Sequence, residues 1–310
     1  MTATPPSLVE IAAALQRAFP RLEDVAPLRL LGEGFRSLVV ETPRQLIFRI
    51  GKNRAAIEGH ALEATLLPAL SGRVAAPIPN PEWYASPSAD LPFGAIGYRK
   101  LGGRPLGPEL MAPADEAALA SQVAAFAHSL HRLSPHDLGG LALRGPATAP
   151  DALVEVRDVV LPALCAALTP AEYQFVSRWW EELLADRELQ RYRPALIHGD
   201  LWYENMLVDD AGRRIVGILD FEEARLGDPA QDLATQLHLG RPFAARVLRA
   251  YEQQGGAVDA GFCHRLARLW EYREFDGLCY AIAFDDPLEF QDAVAKLRAG
   301  PILRTRACAP

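Results

Sequence analysis

The run Leu196-Ile197-His198-Gly199-Asp200-Leu201-Trp202-Tyr203-Glu204-Asn205 places an acid and a carboxamide in one polar segment of the sequence. Apolar residues precede this segment at 195–197 and follow it at 206–208, so we predict a loop held between two buried strands. A second apolar run, 215–219, ends at Asp220. Turn-forming residues lie between the runs, and the resulting hairpin would set the distance between Asn205 and Asp220.

These side-chain types suit phosphoryl transfer, which requires accurate placement more than covalent chemistry. A carboxylate such as Asp200 can orient a hydroxyl group and accept its proton. Asn205 and Asp220 offer a neutral and an anionic oxygen, which are the hard ligands that Mg²⁺ prefers beside triphosphate oxygens. We predict that Asp200, Asn205 and Asp220 form the catalytic set, and that Asn205 and Asp220 bind the metal. A His-x-Asp loop is also common as a polar cluster with only a structural role.

The loop His198-Gly199-Asp200 with Asn205 is followed by Gly217-Ile218-Leu219-Asp220-Phe221 and by Gly227-Asp228-Pro229-Ala230-Gln231-Asp232-Leu233-Ala234. Together these motifs resemble the aminoglycoside phosphotransferase family, over nearly the whole chain. The resemblance implies an α+β, two-lobed, protein-kinase-like fold, with an N-terminal antiparallel sheet and helix and a mainly helical C-terminal lobe. It also implies that Asp228 and Asp232 brace the catalytic loop and open the next helix, although Asp228 could equally be a simple helix cap.

We predict that the N-terminal third of the chain binds the nucleotide. Residues 28–40 are predicted to form a strand, a glycine turn and a second strand. Gly32 and Gly34 would let backbone N–H groups approach phosphates closely. A Gly-x-Gly between strands is more often an ordinary hairpin, so this prediction depends on the motifs described above.

A cation for the phosphates is predicted on the next strand, 45–50. Protein kinases have a lysine here, whereas this sequence has Arg49, with Lys52 just beyond the strand. We predict that Arg49 binds phosphate, since a guanidinium can grip two phosphate oxygens at once. Its predicted partner is Glu63 on a helix over residues 55–70, although an acid on a helix is usually solvated.

A junction between two lobes is predicted at about residues 97–103, which include the pair Gly102-Gly103. The nucleotide-binding lobe would cover residues 1–100, and the catalytic and acceptor-binding lobe residues 104–310. By the family resemblance, the nucleotide base bonds to backbone atoms at Arg99 and Leu101. Adjacent glycines are equally typical of any interdomain linker.

The second lobe is predicted to be mainly helical. Helical spacing and capping residues predict helices over 114–133, 151–168, 170–186, 230–239, 242–254 and 260–283. Aromatic residues in these helices are predicted to be core, whereas Trp202 and Tyr203 in the catalytic loop could flank a ring of the acceptor.

Composition is that of a globular protein, because 310 residues with 50% hydrophobic content can bury a sizeable core. Residues 1–7 contain no basic cluster and no apolar run reaches membrane length, so we expect a cytoplasmic protein without a membrane partner. The four cysteines show no paired spacing for zinc or redox chemistry and are expected to be reduced thiols.

Charge is distributed unequally along the chain. Residues 1–100 contain 11 basic and 9 acidic side chains, which leaves 21 basic and 30 acidic ones for the rest. An acidic acceptor-binding lobe favours a cationic substrate and disfavours nucleic acid. The acids predicted to contact the substrate are Glu222, Glu223, Glu271, Glu274 and Asp276. Acidic surface residues are usually solubility features, so each of them could instead be simply solvated.

The leading hypothesis is a small-molecule kinase that uses Mg²⁺ and ATP or GTP to phosphorylate a hydroxyl group of a cationic acceptor. An aminoglycoside or similar antibiotic is the favoured acceptor, and family analogy supplies it. One alternative is a metabolic kinase for choline, a sugar or an amino alcohol. Another is a nucleotide-binding regulator with weak turnover, which the arginine at position 49 motivates. A monomer and a dimer are equally compatible with the sequence.

Overall fold

The computed structural model describes residues 6–107, 115–134 and 136–307, with side chains described up to residue 304. Its N-terminal part is a five-stranded antiparallel sheet with the strand order β1-β2-β3-β5-β4. The strands are β1 (Arg29–Glu33), β2 (Ser37–Glu41), β3 (Leu46–Gly51), β4 (Pro81–Ala85) and β5 (Ala95–Arg99). Two helices accompany the sheet, α1 (Leu8–Ala18) and α2 (Arg54–Leu70). The strands predicted around the glycine turn and the helix predicted to carry Glu63 are present.

Helix α1 packs on one face of the sheet, and the sequence patterns did not predict it. A capping box starts the helix, since the side chains of Ser7 and Glu10 each bind the backbone N–H of the other. Its apolar face packs in one core cluster with Phe48 and Ile50 of β3. Because side chains alternate along a strand, Arg49 faces the opposite side of the sheet, where α2 lies.

The predicted lobe junction is followed by strand pairing with the second part of the protein. Strand β6 (Arg104–Pro105) pairs with β8 (Met206–Val208), and β8 pairs with β9 (Ile215–Ile218). Gly103 has a φ of +98°, and a Cβ atom there would lie 2.5 Å from the carbonyl oxygen of the last residue of β8. Only glycine is accommodated at this position without strain. The chain therefore leaves the sheet along the same hairpin that carries the predicted metal ligands.

Helices make up most of the second part: α3 (Glu116–His131), α4 (Pro150–Ala167), α5 (Pro170–Ala185), α6 (Ala230–Ala234), α7 (Arg241–Gln253), α8 (Phe262–Tyr272), α9 (Glu274–Ala283), α10 (Pro287–Ala299) and α11 (Pro301–Ala307). A two-stranded sheet pairs β7 (Ala195–Ile197) with β10 (Arg225–Gly227). Leu66, Leu67 and Leu70 of α2 belong to the same core cluster as α3 and α7, so α2 is anchored in both parts. The predicted α+β architecture is confirmed. Within the described ranges, no helix is both long and apolar enough to span a bilayer.

Some helix predictions differ from the structure. The helix predicted over 260–283 is divided into α8 and α9. There the guanidinium of Arg273 stacks 3.3 Å from the centre of the Trp270 ring and donates to the Trp270 carbonyl. This carbonyl is the acceptor that residue 274 would use in a continuous helix, so the competing bond favours a break. The helix predicted over 230–239 becomes a 3₁₀-helix after Ala234.

Helices α10 and α11 were not predicted, although Asp286 caps α10 by accepting from two backbone N–H groups. Two further predictions involve residues that the structure does not describe. Ala114, the predicted first residue of α3, and Cys308 lie outside the described residues.

Candidate active site

The predicted catalytic loop lies between β7 and β8 and is fastened to Asp232 on α6. The backbone N–H groups of His198 and Gly199 donate to the two carboxylate oxygens of Asp232 at 2.8 and 2.9 Å. Asp232 is fully buried and also lies 3.0 Å from Nε2 of His131. The ring of His198 is buried as well, with its Nε2 3.0 Å from the carbonyl oxygen of Leu219. Buried hydrogen bonds therefore fix the backbone that leads to Asp200.

Asp228 makes two contacts through its carboxylate, one at the start of α6 and one with a buried arginine, and its bracing of the catalytic loop stays a prediction. Its carboxylate accepts from the backbone N–H of Ala230 at 3.0 Å, which caps the start of α6. It also accepts from Nε of Arg265 at 2.6 Å, and the Arg265 side chain is only 1% exposed. Asp228 is thus a helix cap and one half of a buried ion pair.

Asp200 and Asn205 are joined directly at the centre of the loop. The Asn205 amide nitrogen donates to the carbonyl oxygen and to Oδ2 of Asp200, both at 2.9 Å. Burial and the nearby charge of Asp220 raise the pKa of Asp200 to about 7, although the Asn205 hydrogen bond opposes the rise. A carboxylate with this pKa is suited to accept a proton near neutral pH.

Asp220 follows β9 directly beside the catalytic loop. The backbone N–H of Leu219 donates to the carbonyl oxygen of Asn205 at 2.8 Å, which continues the β8–β9 pairing up to the site. Asp220 adopts a φ of +64°, a left-handed conformation that costs a non-glycine residue about 1 kcal/mol or more. Burial alone would raise the pKa of Asp220, but Arg49 and His198 outweigh it and lower the pKa below its usual value. Asp220 is therefore ionised at neutral pH.

Asn205 and Asp220 form a donor set that fits Mg²⁺. In the described part of the chain, Oδ1 of Asn205 accepts no protein hydrogen bond, because the amide nitrogen makes the contacts to Asp200. Asp220 is 41% exposed and binds Arg49 through Oδ1. No described group of three or more His, Cys, Asp or Glu side chains is arranged to hold a metal. The protein would thus supply two oxygen ligands and leave the others to phosphate and water, as is usual for Mg²⁺.

Arg49 and Glu63, predicted as partners, are paired in the structure. Nη1 of Arg49 lies 3.0 Å from both carboxylate oxygens of Glu63. Nη2 of Arg49 lies 3.2 Å from Oδ1 of Asp220. Both Arg49 and Glu63 are buried. Lys52 binds Glu33 and the Gly34 carbonyl on the glycine turn instead, so it does not share this network.

A cavity of about 670 Å³ separates the glycine turn from the catalytic loop. Gly32 and Gly34 line one side, and Asn205 lines the other. Tyr203, which the sequence suggested could flank an acceptor ring, also lines this space. The other lining residues were not predicted; they are Glu33, Val39, Pro105, Leu106, Gly107 and Glu204. The glycine turn and a predicted metal ligand therefore face the same space, which is the arrangement that a triphosphate would require.

The structure does not bring Arg99 and Leu101 to this cavity. The Arg99 side chain is exposed and pairs with Glu82 at 2.9 Å. The Leu101 side chain packs over Gly217, where an added Cβ would lie 2.9 Å from Leu101 Cδ1. Contact of their backbone atoms with a nucleotide base remains a prediction.

Four of the five acids predicted to contact the acceptor are engaged with arginine. Glu222 is 3% exposed and binds Arg49 and Arg36. Glu223 binds Arg36 and Arg225. Glu271 accepts from Nε1 of Trp179 at 2.9 Å and from Arg268 at 3.1 Å, and Glu274 binds Arg273. Contact of these four acids with an acceptor stays a prediction.

Asp276 differs from the other four acids. Its side chain is exposed. The surrounding protein nevertheless limits its hydration and raises its pKa to about 6, against the opposing charge of Arg225. Its charge in turn contributes to the raised pKa of Asp200. Asp276 therefore combines access to solvent with nearness to the predicted catalytic acid.

Two contacts of the glycine turn were not foreseen from the sequence. The Phe35 ring lies 3.9 Å from the Tyr280 ring of α9, and the Tyr280 hydroxyl donates to the Phe35 carbonyl at 3.2 Å. Arg36 reaches Glu222 and Glu223 just after Asp220. An aromatic and a basic residue next to Gly34 were the only sequence signal for these contacts.

Comparison with known proteins supplies the family. A sequence profile described as "Phosphotransferase enzyme family" matches residues 27–271. The chain belongs to this phosphotransferase family. The family resemblance predicted from the three motifs is thereby confirmed.

Two curated proteins match segments of this phosphotransferase-family chain. The uncharacterized protein YcbJ of Bacillus subtilis (strain 168) is 38% identical over 91 residues, which is 29% of each chain. Viomycin phosphotransferase of Streptomyces vinaceus is 31% identical over 119 residues, 38% of this chain and 40% of that protein. The matched segments thus span less than half the length of either curated relative.

A solved structure matches the phosphotransferase-family chain almost end to end. It is the GDP and kanamycin complex of APH(2")-IIia, with a TM-score of 0.82 and 21% sequence identity. The match covers 94% of this chain and 98% of that one. The likeness confirms the predicted protein-kinase-like fold class.

Proposed function

We propose that this protein transfers the γ-phosphate of a nucleoside triphosphate to a hydroxyl group of a small molecule, with Mg²⁺. One observation carries the proposal. Asp200, Asn205 and Asp220 lie together at the end of the β8–β9 hairpin, and Asn205 lines a cavity that the glycine turn also lines. A proton acceptor, two oxygen ligands and a space for the triphosphate are the parts that phosphoryl transfer needs.

Each residue has a proposed role in this reaction. Asp200 orients the acceptor hydroxyl and takes up its proton as the bond to phosphorus forms. Asn205 and Asp220 hold Mg²⁺, which when bound offsets the negative charge of the phosphate oxygens. Arg49, held by Glu63, binds a phosphate group. Gly32 and Gly34 offer backbone N–H groups to the phosphates. Arg99 and Leu101 are proposed to bind the base through their backbone atoms.

The favoured acceptor is a cationic antibiotic such as an aminoglycoside. The excess of acidic side chains after residue 100 supports a cationic acceptor, and so does the exposed carboxylate of Asp276 near Asp200. Among cationic acceptors, two similar proteins favour antibiotics. One relative is viomycin phosphotransferase, and one structural neighbour was solved in complex with kanamycin. ATP or GTP is the proposed phosphate donor.

A metabolic kinase for choline or another amino alcohol is the second candidate, and an aromatic cluster favours it. The rings of Trp202 and His238 lie 5.7 Å apart, and the His238 ring lies 4.8 Å from that of Trp270. Trp202 follows Asp200 closely in the catalytic loop. Aromatic faces attract quaternary ammonium groups. One face of Trp270 already holds the guanidinium of Arg273, so a small cation would bind at Trp202.

The test is phosphate transfer from γ-labelled ATP or GTP, with Mg²⁺, to a panel containing kanamycin, viomycin, choline and simple sugars. We expect labelled antibiotic in the wild-type reaction and none with Asp200→Ala. Labelled choline would favour the metabolic kinase instead. Nucleotide binding without transfer to any acceptor, and without slow hydrolysis, would contradict the proposal and favour a regulator with weak turnover.

A further inference from the structure

The most unusual feature beside the proposed phosphate site is the buried carboxylate of Glu222, two residues after Asp220. The Glu222 side chain is 4% exposed, and its Oε1 forms an ion pair with Nη2 of Arg49 that lacks the geometry of a hydrogen bond. Its Oε2 lies 3.4 Å from Nη1 of Arg36 on the glycine turn. One carboxylate therefore bridges a cation on β3 and a cation on the turn that lines the cavity.

The structure makes room for this carboxylate at a glycine. Gly59 lies on α2, and a Cβ atom added there would come within 2.7 Å of Glu222 Cγ and 2.8 Å of Cδ. His60 lies nearby, with Nε2 3.6 Å from Oε1 of Glu222, but this nitrogen is 3.0 Å from the Ser37 hydroxyl. Burial and the charge of Arg49 lower the pKa of His60 to about 3, so His60 is neutral and the arginines supply the charge that balances Glu222.

The guanidinium of Arg49 thus contacts three carboxylates. Glu63 binds Nη1 and Glu222 binds Nη2, while Nη2 also reaches Asp220. A planar guanidinium offers two separate nitrogens for this purpose, whereas a lysine ammonium is a single point of charge. A lysine at position 49 could pair with Glu63 but could not bridge to Glu222 in the same way.

We propose that Glu222 is a positioning residue for nucleotide binding and not an acceptor contact, and that Arg49 and Glu222 act as a matched pair. Glu222 fixes Nη2 of Arg49 at the level of Asp220 and holds Arg36 on the glycine turn, so both cations are in place before the nucleotide binds. This inference depends on the proposed nucleotide site. It explains why arginine stands where a protein kinase has lysine.

The first experiment measures the binding of Mg²⁺–ATP and Mg²⁺–GTP by calorimetry in the wild type, Glu222→Gln, Arg49→Lys and the double variant. Losing one buried charge-assisted contact weakens binding by about ten-fold or more. We expect that loss in Glu222→Gln, while the KM for the acceptor changes by less than about two-fold. In the Arg49→Lys background, Glu222→Gln should have a smaller effect than in the wild type, since only the contact with Arg36 is then left to lose.

Two further variants separate positioning from general loss of stability. Asp186→Asn is the control, because Asp186, at the C-terminal end of α5, is also mostly buried and is paired with Arg268 at 3.3 Å and with His264 at 2.6 Å. It should leave nucleotide affinity unchanged. Gly59→Ala keeps every charged group but displaces Glu222, so it should weaken nucleotide binding even though alanine favours a helix. Thermal unfolding of each variant confirms that the protein is folded.

The inference is overturned if Glu222→Gln binds nucleotide like the wild type, if its effect adds in full to that of Arg49→Lys, or if it raises the acceptor KM instead. Failure of the proposed function is a different result. If the wild type transfers no phosphate but binds nucleotide, calorimetry still tests Glu222. If the wild type binds no nucleotide at all, the proposed function and this inference fail together.

Discussion

The carboxylate of Glu63 accepts a hydrogen bond from the backbone N–H of Phe221 at 2.7 Å. The same carboxylate holds Nη1 of Arg49 through both oxygens. Helix α2 is thereby fixed to the cation on β3 and to the residue directly after Asp220. A displacement of α2 would therefore move the proposed phosphate contact and the proposed metal ligand together.

Two substitutions of Glu63 should distinguish the contribution of its negative charge to stability from that of its hydrogen bond to Phe221. Glu63→Gln keeps an oxygen for Phe221 but leaves Arg49 less well compensated, so we expect a stability loss of about 1–3 kcal/mol. Glu63→Ala removes both contacts and leaves buried groups unpaired, with an expected loss of about 3–5 kcal/mol. Urea unfolding measures both values. Equal stability of Gln and Ala variants would show that the hydrogen bond to Phe221 contributes nothing.

The two aspartates of the site should fail in different ways. Asp200→Ala removes the proton acceptor and is expected to lower kcat by about 100-fold or more, with nucleotide affinity preserved. Asp220→Ala removes a metal ligand, so it should weaken Mg²⁺-dependent nucleotide binding itself. Single-turnover kinetics and nucleotide titrations distinguish the two effects. Near-normal turnover in both variants would refute the assignment.

Activity should depend on the protonation of Asp200. Its pKa is raised from an ordinary value of 3.8 to about 7, so the fraction of ionised base falls as the pH falls through that region. We expect kcat/KM to decrease below about pH 7. Asp200→Ala should lose this acidic limb. A profile of the wild type that is flat from about pH 5 to about pH 8 would contradict the assignment.

The raised pKa of Asp200 also predicts how the stability of the folded protein changes with pH. A raised pKa means that the folded protein binds the Asp200 proton more tightly than the unfolded chain does. This group therefore lowers stability as the pH rises from about 4 to about 7. Asp200→Asn removes that cost and should raise the unfolding temperature above pH 7 but not near pH 4. Thermal scans at both pH values measure the difference, and the opposite order would exclude a raised pKa.

Asp228 should affect stability more than catalysis. Asp228→Asn leaves Arg265 buried with a weaker partner, although the exposed acid Asp259 still binds Arg265 at 2.7 Å. We expect a loss of about 2–4 kcal/mol in urea unfolding. At a temperature where the variant is folded, kcat/KM should stay within about three-fold of the wild type. A large loss of turnover in fully folded protein would instead place Asp228 in the catalytic machinery.

The glycine turn should become more mobile when its contact with α9 is removed. Phe35→Ala deletes a ring contact worth about 0.5–1.5 kcal/mol, and Tyr280→Phe deletes only the hydrogen bond to the Phe35 carbonyl. Backbone amides of residues 32–37 should exchange with deuterium faster in Phe35→Ala, by up to about ten-fold, and less so in Tyr280→Phe. Unchanged exchange in both variants would show that the contact does not hold the turn.

Local sequence patterns were sufficient to predict much of the fold and of the candidate site. The apolar runs around Asp200 and Asp220 predicted the hairpin, because strands and turns depend on residues close together in the sequence. Alternation of side chains along the strand puts Arg49 and Phe48 on opposite faces, and the structure shows this arrangement. The three motifs resembled one family, and the profile over residues 27–271 confirmed it.

Only the tertiary structure decided which charged groups meet. Glu222 and Asp276 were equivalent acids in the sequence, but packing of α2 at Gly59 buries Glu222 between two arginines while Asp276 stays exposed. The contact between Glu63 and Phe221 joins residues that are 158 positions apart. Periodicity gives the face of an element on which a side chain lies. The partner of a side chain and its hydration depend on how distant elements pack, and no local pattern contains that information.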